Sequence, residues 1–147
     1  MEAPVMDLRR TFTTGLKKGI ATTWILLKIT LPVYFIVRLL EATPVLDWLS
    51  TLFEPVMGLF GLPGEASLVL VIGNTLGLYA AVGAMGAMAF SGTQVTVLAL
   101  MLSFSHSLPV ETALAHRLGL SVPFVVSLRL GLAAFSGLAA HLTLAAA

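Results

Sequence analysis

The sequence predicts an all-α integral membrane protein, with spanning helices, an interfacial helix, a re-entrant hairpin and an interrupted helix. Of its 147 residues, 58% are hydrophobic and only 10% are charged, whereas a soluble domain carries about 25% charged residues. The second observation is the apolar segment 62–90, which is interrupted at its centre by Gly73-Asn74-Thr75-Leu76-Gly77. Glycine, and side chains that compete for backbone hydrogen bonds, disfavour a continuous helix at that point.

Charge and cysteine content exclude several classes of function. The net charge is +1, so no large positive field favours nucleic acid. The chain has no cysteine, which excludes disulfides, thiolate metal sites and cysteine nucleophiles. The basic residues near the amino terminus precede an apolar stretch that is too long for the core of a signal peptide, so we do not expect one.

We divide the chain into a basic amino-terminal segment, residues 1–19, and a single transmembrane domain, residues 20–147. The first segment holds half of all lysines and arginines: Arg9, Arg10, Lys17 and Lys18. Apolar residues recur in it at helical spacing, at Val5, Leu8, Phe12 and Leu16. This pattern predicts an amphipathic helix on the cytoplasmic face, with a frayed basic tail as the alternative. The positive-inside rule places the amino terminus in the cytoplasm.

The first predicted span runs from Ile20 to Leu40, with Pro32 expected to kink it. Lys28 lies near the middle of this span. A cation at that depth usually faces a protein interior or a water-filled cavity. Lys28 is therefore a candidate for ion or proton coupling, and a structural pairing or a long snorkelling side chain is the alternative.

Thr43-Pro44 marks the start of the next helix, with threonine as the N-cap and proline in the first helical position. From Val45 to Phe60 apolar residues recur every three to four positions, and polar residues occupy the opposite face. This stripe predicts a helix in the membrane interface, on the side opposite the amino terminus, rather than another span.

Two half-helices are predicted in the central segment, about Glu65 to Ile72 and about Leu76 to Ala89. Each is too short to cross a hydrocarbon core of about 30 Å. The segment is therefore either a re-entrant hairpin or one broken spanning helix. Asn74 and Thr75 at its tip are candidate ligand-binding residues, with tip capping as the alternative, and the carboxylate of Glu65 is a candidate for ion coupling.

A second interruption is predicted where Ser105-His106-Ser107-Leu108-Pro109 divides an apolar stretch. Pro109 is suited to open a second half-helix, with Glu111 in its first turn. We expect the two breaks to meet near the bilayer midplane and form one polar cavity. In that cavity Ser105, His106, Ser107 and Glu111 would bind the ligand.

His106 and Glu111 have the chemistry to exchange a proton or hold a cation, although a satisfied structural pair is the alternative. No other cofactor is expected. The last span, about Ser121 to Leu144, contributes Arg129 as a further candidate for coupling.

The order of these parts resembles the Gate, or nucleoside-recognition, domain over roughly Pro44 to Leu144. Gly73-Asn74-Thr75 is similar to the start of the hairpin motif of the concentrative nucleoside transporters, where an acidic residue follows and this sequence has Leu76. His106-Ser-Leu-Pro-Val-Glu111 is similar to a motif of small stand-alone bacterial Gate proteins. The related ferrous-iron transporter FeoB places a cysteine near each gate, and this sequence has none.

The resemblance implies a partner as well as a fold. In the larger transporters the unit occurs twice in inverted orientation, so a single copy implies a homodimer or a second Gate-domain subunit. Small residues after Gly77, including Gly83 and Gly86, are expected to support that association.

These features favour a bacterial inner-membrane transporter or permease half-unit for a small polar solute or ion. The alternative is a membrane interaction or assembly subunit that transports nothing. An enzyme is not expected, because Glu65, His106 and Glu111 lack any metal-ligand spacing of a known kind.

Overall fold

The computed structural model describes residues 8–145, and these are almost entirely helical. Seven α-helices follow one another within residues 8–145: α1 (Leu8–Glu41), α2 (Pro44–Met57), α3 (Ala66–Leu76), α4 (Leu78–Ala87), α5 (Gly92–Ser105), α6 (Leu108–Arg117) and α7 (Val122–Ala145). A short 3₁₀ turn, Gly58–Phe60, follows α2. No strand occurs among the described residues. The predicted all-α membrane class is confirmed.

In the described part of the chain, three stretches are long and apolar enough to cross a membrane: Leu8–Glu41, Gly92–Arg117 and Val122–Ala145. The second comprises α5 and α6 and contains the interruption. Both α3 and α4 are too short to cross alone, because 11 and 10 residues extend only about 15–17 Å. At 14 residues, α2 is also shorter than a span, as expected for an interfacial helix.

The first helix runs without interruption through Gly19 to Glu41, over 34 residues. The division expected at residue 19 is therefore not a break in secondary structure, and residues 1–7, which include Val5, lie outside the described part of the chain. The predicted N-cap of α2 is correct in position, since Pro44 follows Thr43, but the threonine side chain makes no capping bond. Its hydroxyl instead donates to the carbonyl of Leu40 at 2.7 Å.

Contacts between helices fix their relative directions. The Thr30 hydroxyl donates to the Tyr79 carbonyl at 3.3 Å, and Tyr34 lies beside Gly86 one turn further along, so α1 and α4 run parallel. Gly73 of α3 faces Ala81 of α4, which makes these two helices a hairpin. The central segment is thus re-entrant and not a single broken span.

The α5–α7 pair is antiparallel and closes the bundle. Arg129 reaches the Phe104 carbonyl, while Gly137, two turns further along α7, packs against Met101. Following these directions through the chain places Arg117 at the same end of the bundle as the amino-terminal end of α1. Acidic residues gather at the opposite end, on or beside α2: Glu41, Asp47, Glu54 and Glu65.

The small residues of α4 are used inside the chain. Ala80, Ala81, Gly83, Ala84 and Ala87 are all buried. A Cβ atom at Gly83 would lie 2.6 Å from the Thr30 carbonyl oxygen, so this glycine lets α1 and α4 backbones approach closely. The expectation that this face serves association between subunits is wrong for Gly83, because α1 of the same chain already occupies it.

Candidate functional site

The two helix interruptions lie against each other. The first falls at Gly77, between α3 and α4, and the second at His106 and Ser107, between α5 and α6. The Ser107 N–H donates to the Gly73 carbonyl at 3.0 Å and thereby joins the two breaks directly. Because residues 73 and 107 are distant in sequence, this bond exists only when the hairpin is docked on the broken helix.

The first break is narrower than the sequence predicted. Asn74 and Thr75 remain inside the last turn of α3, and only Gly77 leaves the helical conformation, with φ 109° and ψ 173°. Glycine reaches this region without steric cost, whereas other residues do not. A Cβ atom at Gly77 would also lie 2.8 Å from the Ser107 hydroxyl. The absence of a side chain at this position therefore permits both the turn and the contact between the breaks.

At the second break the backbone adopts a left-handed conformation. Ser107 has φ 51° and ψ 38° and is the only described non-glycine residue with positive φ, which costs about 1 kcal/mol. Leu108 then begins α6 with Pro109 in its first turn and Glu111 close behind, as the sequence predicts. The N–H groups in the first turn of a helix have no intrahelical partner, and Ser107 makes no side-chain cap.

Arg129 satisfies the carbonyl groups that the second break exposes. Its Nε donates to the Phe104 carbonyl at 2.7 Å and one terminal nitrogen donates to the His106 carbonyl at 3.1 Å. The other terminal nitrogen pairs with Glu111. The side chain is 16% exposed, and all three of its nitrogens are engaged. Arg129, predicted as a coupling residue, thus acts as the C-terminal cap of α5.

His106 and Glu111 lie close together without forming a hydrogen bond. Their facing atoms, Nδ1 and Oε1, are 3.5 Å apart, within ion-pair range if the imidazole is protonated but too long for a hydrogen bond. His106 Nδ1 is buried and has no hydrogen-bond partner. The second carboxylate oxygen of Glu111 pairs with Arg129. The same carboxylate therefore faces the Arg129 guanidinium through one oxygen and the His106 imidazole through the other.

The other predicted polar groups divide into satisfied and unsatisfied ones. The hydroxyls of Thr75 and Ser105 donate to Val71 and Met101 in their own helices, at 2.7 and 3.0 Å. Thr75 is exposed, whereas Ser105 is fully buried. The amide oxygen of Asn74, by contrast, is buried without a hydrogen-bond partner. Asn74 and His106 therefore carry the unused hydrogen-bonding capacity at the two breaks.

A concavity of about 290 Å³ opens where the breaks meet. Its lining combines both interruptions with one face of α1: Ile29, Leu76, Gly77, Leu78, Tyr79, His106 and Ser107. The amino-terminal ends of α4 and α6 both lie at it, and neither has a side-chain cap. Helix amino termini carry partial positive charge and free N–H groups, so this concavity favours a group that accepts hydrogen bonds.

Of the predicted site residues, only His106 and Ser107 line the concavity, and two of the others lie on different surfaces. Lys28 is exposed on α1, with its ammonium 5.6 Å from the ring centre of Trp24. Glu65 precedes the first residue of α3, about 18 Å from Gly77 along the helix axis. Neither lines the concavity. Within residues 8–145, no three histidine or acidic side chains are grouped as a metal site requires.

Ile29 and Tyr79 line the concavity, and the sequence did not indicate them. A hydrophobic and an aromatic residue within apolar helices carry no local signal of a binding role. Only the parallel packing of α1 on α4 brings both side chains to the breaks.

These features define a class: a helical membrane protein in which the tip of a re-entrant hairpin contacts the break of an interrupted span. The family model described as Gate, nucleoside recognition, matches residues 23–124. The chain belongs to this family, as the sequence predicted. No solved structure matches the chain.

Two curated bacterial relatives have similar sequences. The chain is 44% identical to the uncharacterized membrane protein YvoD of Bacillus subtilis, over 92% of this chain and 43% of YvoD. It is 40% identical to the inner membrane protein YjiG of Escherichia coli, over 64% of this chain and 62% of YjiG. The alignment thus spans less than half of YvoD and under two thirds of YjiG. Membership of a bacterial membrane-protein family is confirmed.

Proposed function

We propose that the protein is half of a membrane transporter or permease for a small polar solute or ion, with no enzymatic activity, and that the ligand binds where the two helix breaks meet. The bond from Ser107 N–H to the Gly73 carbonyl is the observation that carries this proposal. Non-helical backbone at membrane depth is tolerated where it is buried in protein or lines a cavity. Short, glycine-interrupted segments are typical of transporter binding sites.

The chemistry at the place where the two helix breaks meet, here called the junction, indicates how a solute would be held. The free N–H groups of α4 and α6 would donate to an acceptor group of the solute. His106 lines the concavity and would contribute one side chain. Asn74, whose buried amide oxygen also has no hydrogen-bond partner, does not line the concavity and would have to turn towards the solute. Arg129 already binds the Phe104 and His106 carbonyls and Glu111. An anionic solute would therefore be held by the helix N–H groups rather than by Arg129. A bound cation at His106 and Glu111 would compete with Arg129 for the carboxylate.

A homodimer, or pairing with a second Gate-domain subunit, completes the proposal. YvoD is more than twice as long as the segment that matches this chain, which leaves room for a second module of similar size. In residues 8–145 a single hairpin and a single interrupted span are present, and both breaks are open to the concavity on one side.

The alternative is a membrane interaction subunit that transports nothing. The ion pair of Glu111 with Arg129 favours this alternative, because a coupling ion would require the Glu111 carboxylate and Arg129 already binds it. Leu76, in place of the acidic residue of the nucleoside transporters, points the same way. The two functions differ in whether water reaches the junction.

We expect a cysteine at Leu76 to react with a water-soluble maleimide in native membranes. Leu76 lines the concavity and is exposed, and the chain has no native cysteine to interfere. Phe135→Cys is the matched control, since Phe135 is equally exposed on the outer face of the α7 span. A transporter predicts labelling at 76 and none at 135. No labelling at either position contradicts a water-filled site and favours the interaction subunit.

The proposed location is the inner membrane with the amino terminus in the cytoplasm. Arg9, Arg10, Lys17, Lys18 and Arg117 share one end of the bundle, and the positive-inside rule assigns that end to the cytoplasm. Thr11→Cys should therefore resist an impermeant maleimide in intact spheroplasts, while Thr51→Cys on α2 should react. The reverse pattern would invert the topology, and half-labelling at both sites would show dual orientation.

A further inference from the structure

The imidazole of His106 has one edge inside the protein and one edge at the concavity. Its Nδ1 atom is buried, whereas the side chain as a whole is 29% exposed and lines the concavity. Because Nδ1 faces the protein, the exposed edge is the one that carries Nε2. A neutral imidazole has a proton on one ring nitrogen only, and the other nitrogen accepts hydrogen bonds. The nitrogen that holds the proton therefore decides what His106 offers to a solute.

The backbone from which this ring projects is fixed on both sides. The His106 N–H donates to the Leu102 carbonyl at 2.9 Å, and the His106 carbonyl accepts from Arg129 at 3.1 Å. The next residue, Ser107, is bonded to the Gly73 carbonyl. A ring flip would set a carbon atom against the Glu111 carboxylate in place of Nδ1 and lose the interaction between them. The two ring nitrogens therefore keep different surroundings.

Glu111 faces His106 as a hydrogen-bond acceptor. One of its oxygens pairs with the Arg129 guanidinium, and this ion pair requires the ionised carboxylate. An ionised carboxylate has no proton to donate, and its other oxygen lies 3.5 Å from His106 Nδ1. Two acceptors that face each other away from water are unfavourable, whereas an N–H group directed at the oxygen is attracted to it. The carboxylate therefore favours a proton on Nδ1.

We infer that Glu111 is a positioning residue, which holds neutral His106 with its proton on Nδ1 and leaves Nε2 as a hydrogen-bond acceptor in the concavity. The helix N–H groups at the concavity can only donate, so Nε2 adds the acceptor that they lack. The concavity then fits a solute group that both donates and accepts, such as a hydroxyl, better than a group that only accepts. This consequence for the solute rests on the proposed function, because it requires a ligand at the junction.

Nitrogen NMR of the imidazole tests the inference, because a protonated ring nitrogen and a bare one have well separated resonances. The chain has three histidines, and the His106→Gln variant identifies the resonances that belong to His106. The sample is the full chain with isotope-labelled histidine in lipid bilayers at about pH 8, where histidine is ordinarily neutral. The Nδ1–H form of His106 should exceed the Nε2–H form by at least about tenfold, because a bare Nδ1 would be a buried acceptor facing a carboxylate.

Glu111→Gln should move the proton to the other nitrogen. The glutamine keeps an oxygen that accepts from Arg129, so its amide NH2 group faces Nδ1 with a donor. Nδ1 must then accept, and the Nε2–H form should dominate by a similar factor. Glu41→Gln is the matched control, because Glu41 also pairs with an arginine, Arg38, but lies at one end of the bundle. It should leave the His106 resonances unchanged.

Two results would overturn the inference. A proton on Nε2, or on both nitrogens, in the unmodified protein at this pH would show that Glu111 does not position the ring in this way, whether or not Glu111→Gln folds. An unchanged His106 spectrum in a folded Glu111→Gln variant would limit the role of the carboxylate to its pairing with Arg129. Neither result alters the labelling expected at Leu76→Cys, so failure of this inference is distinguishable from failure of the proposed ligand site.

Discussion

Replacing Arg129 with alanine is expected to destabilise the protein by about 3 kcal/mol. Removing one partner of a buried ion pair typically costs about 3–5 kcal/mol, and the lower end applies because Glu111 is 42% exposed. The Phe104 and His106 carbonyls also lose their donors, which lipid cannot replace. Thermal unfolding in detergent, with tryptophan fluorescence as the signal, measures the effect.

Two further variants make this result interpretable. Arg129→Lys keeps the charge but lacks the planar fork that serves three acceptors at once, so it should recover only part of the stability. Arg38→Ala removes an exposed arginine that pairs with Glu41 at 2.7 Å, and its effect should be much smaller, because solvent screens an exposed ion pair. Similar losses for Arg129→Ala and Arg38→Ala would mean that Arg129 does not cap the helix break.

Replacing Gly77 with alanine should strain the contact between the hairpin tip and the interrupted span. The backbone conformation at Gly77 strains any residue with a Cβ atom by about 1–3 kcal/mol. The added methyl group would also approach the Ser107 hydroxyl to 2.8 Å, so this hydroxyl must rotate or move away. We expect a lower unfolding temperature, together with changed maleimide reactivity of Leu76→Cys when the two substitutions are combined.

Gly119→Ala provides the matched control for Gly77→Ala. Gly119 has a positive φ of 89°, but a Cβ atom there would meet nothing within 4 Å. Its replacement should therefore report backbone strain alone, with no change at Leu76→Cys. If both alanine variants lower stability equally and leave the labelling unchanged, the contact between Gly77 and Ser107 has no role in shaping the site.

The amino-acid sequence by itself determined the class of protein and the places where helices break. Apolar composition required membrane helices, and the glycine-containing stretch at 73–77 and the proline-containing stretch at 105–109 disrupted the helical ladder locally. Local chemistry also placed Pro44 at the start of α2 and Glu111 in the first turn of α6. These features depend on residues within a few positions of one another, so they can be predicted from the sequence alone.

Only the tertiary structure decided how the breaks are satisfied. Arg129 caps carbonyl groups 23 and 25 residues away, and no local pattern distinguishes that role from ion coupling. Asn74 stays helical while Gly77 alone turns, and the Gly73 carbonyl accepts hydrogen bonds both from Gly77 and from Ser107 at the distant second break. Glu65 and Lys28 carry charges suited to a site but lie on other surfaces. A freed polar group in a membrane must find a partner within the protein, and helix packing determines which partner is near.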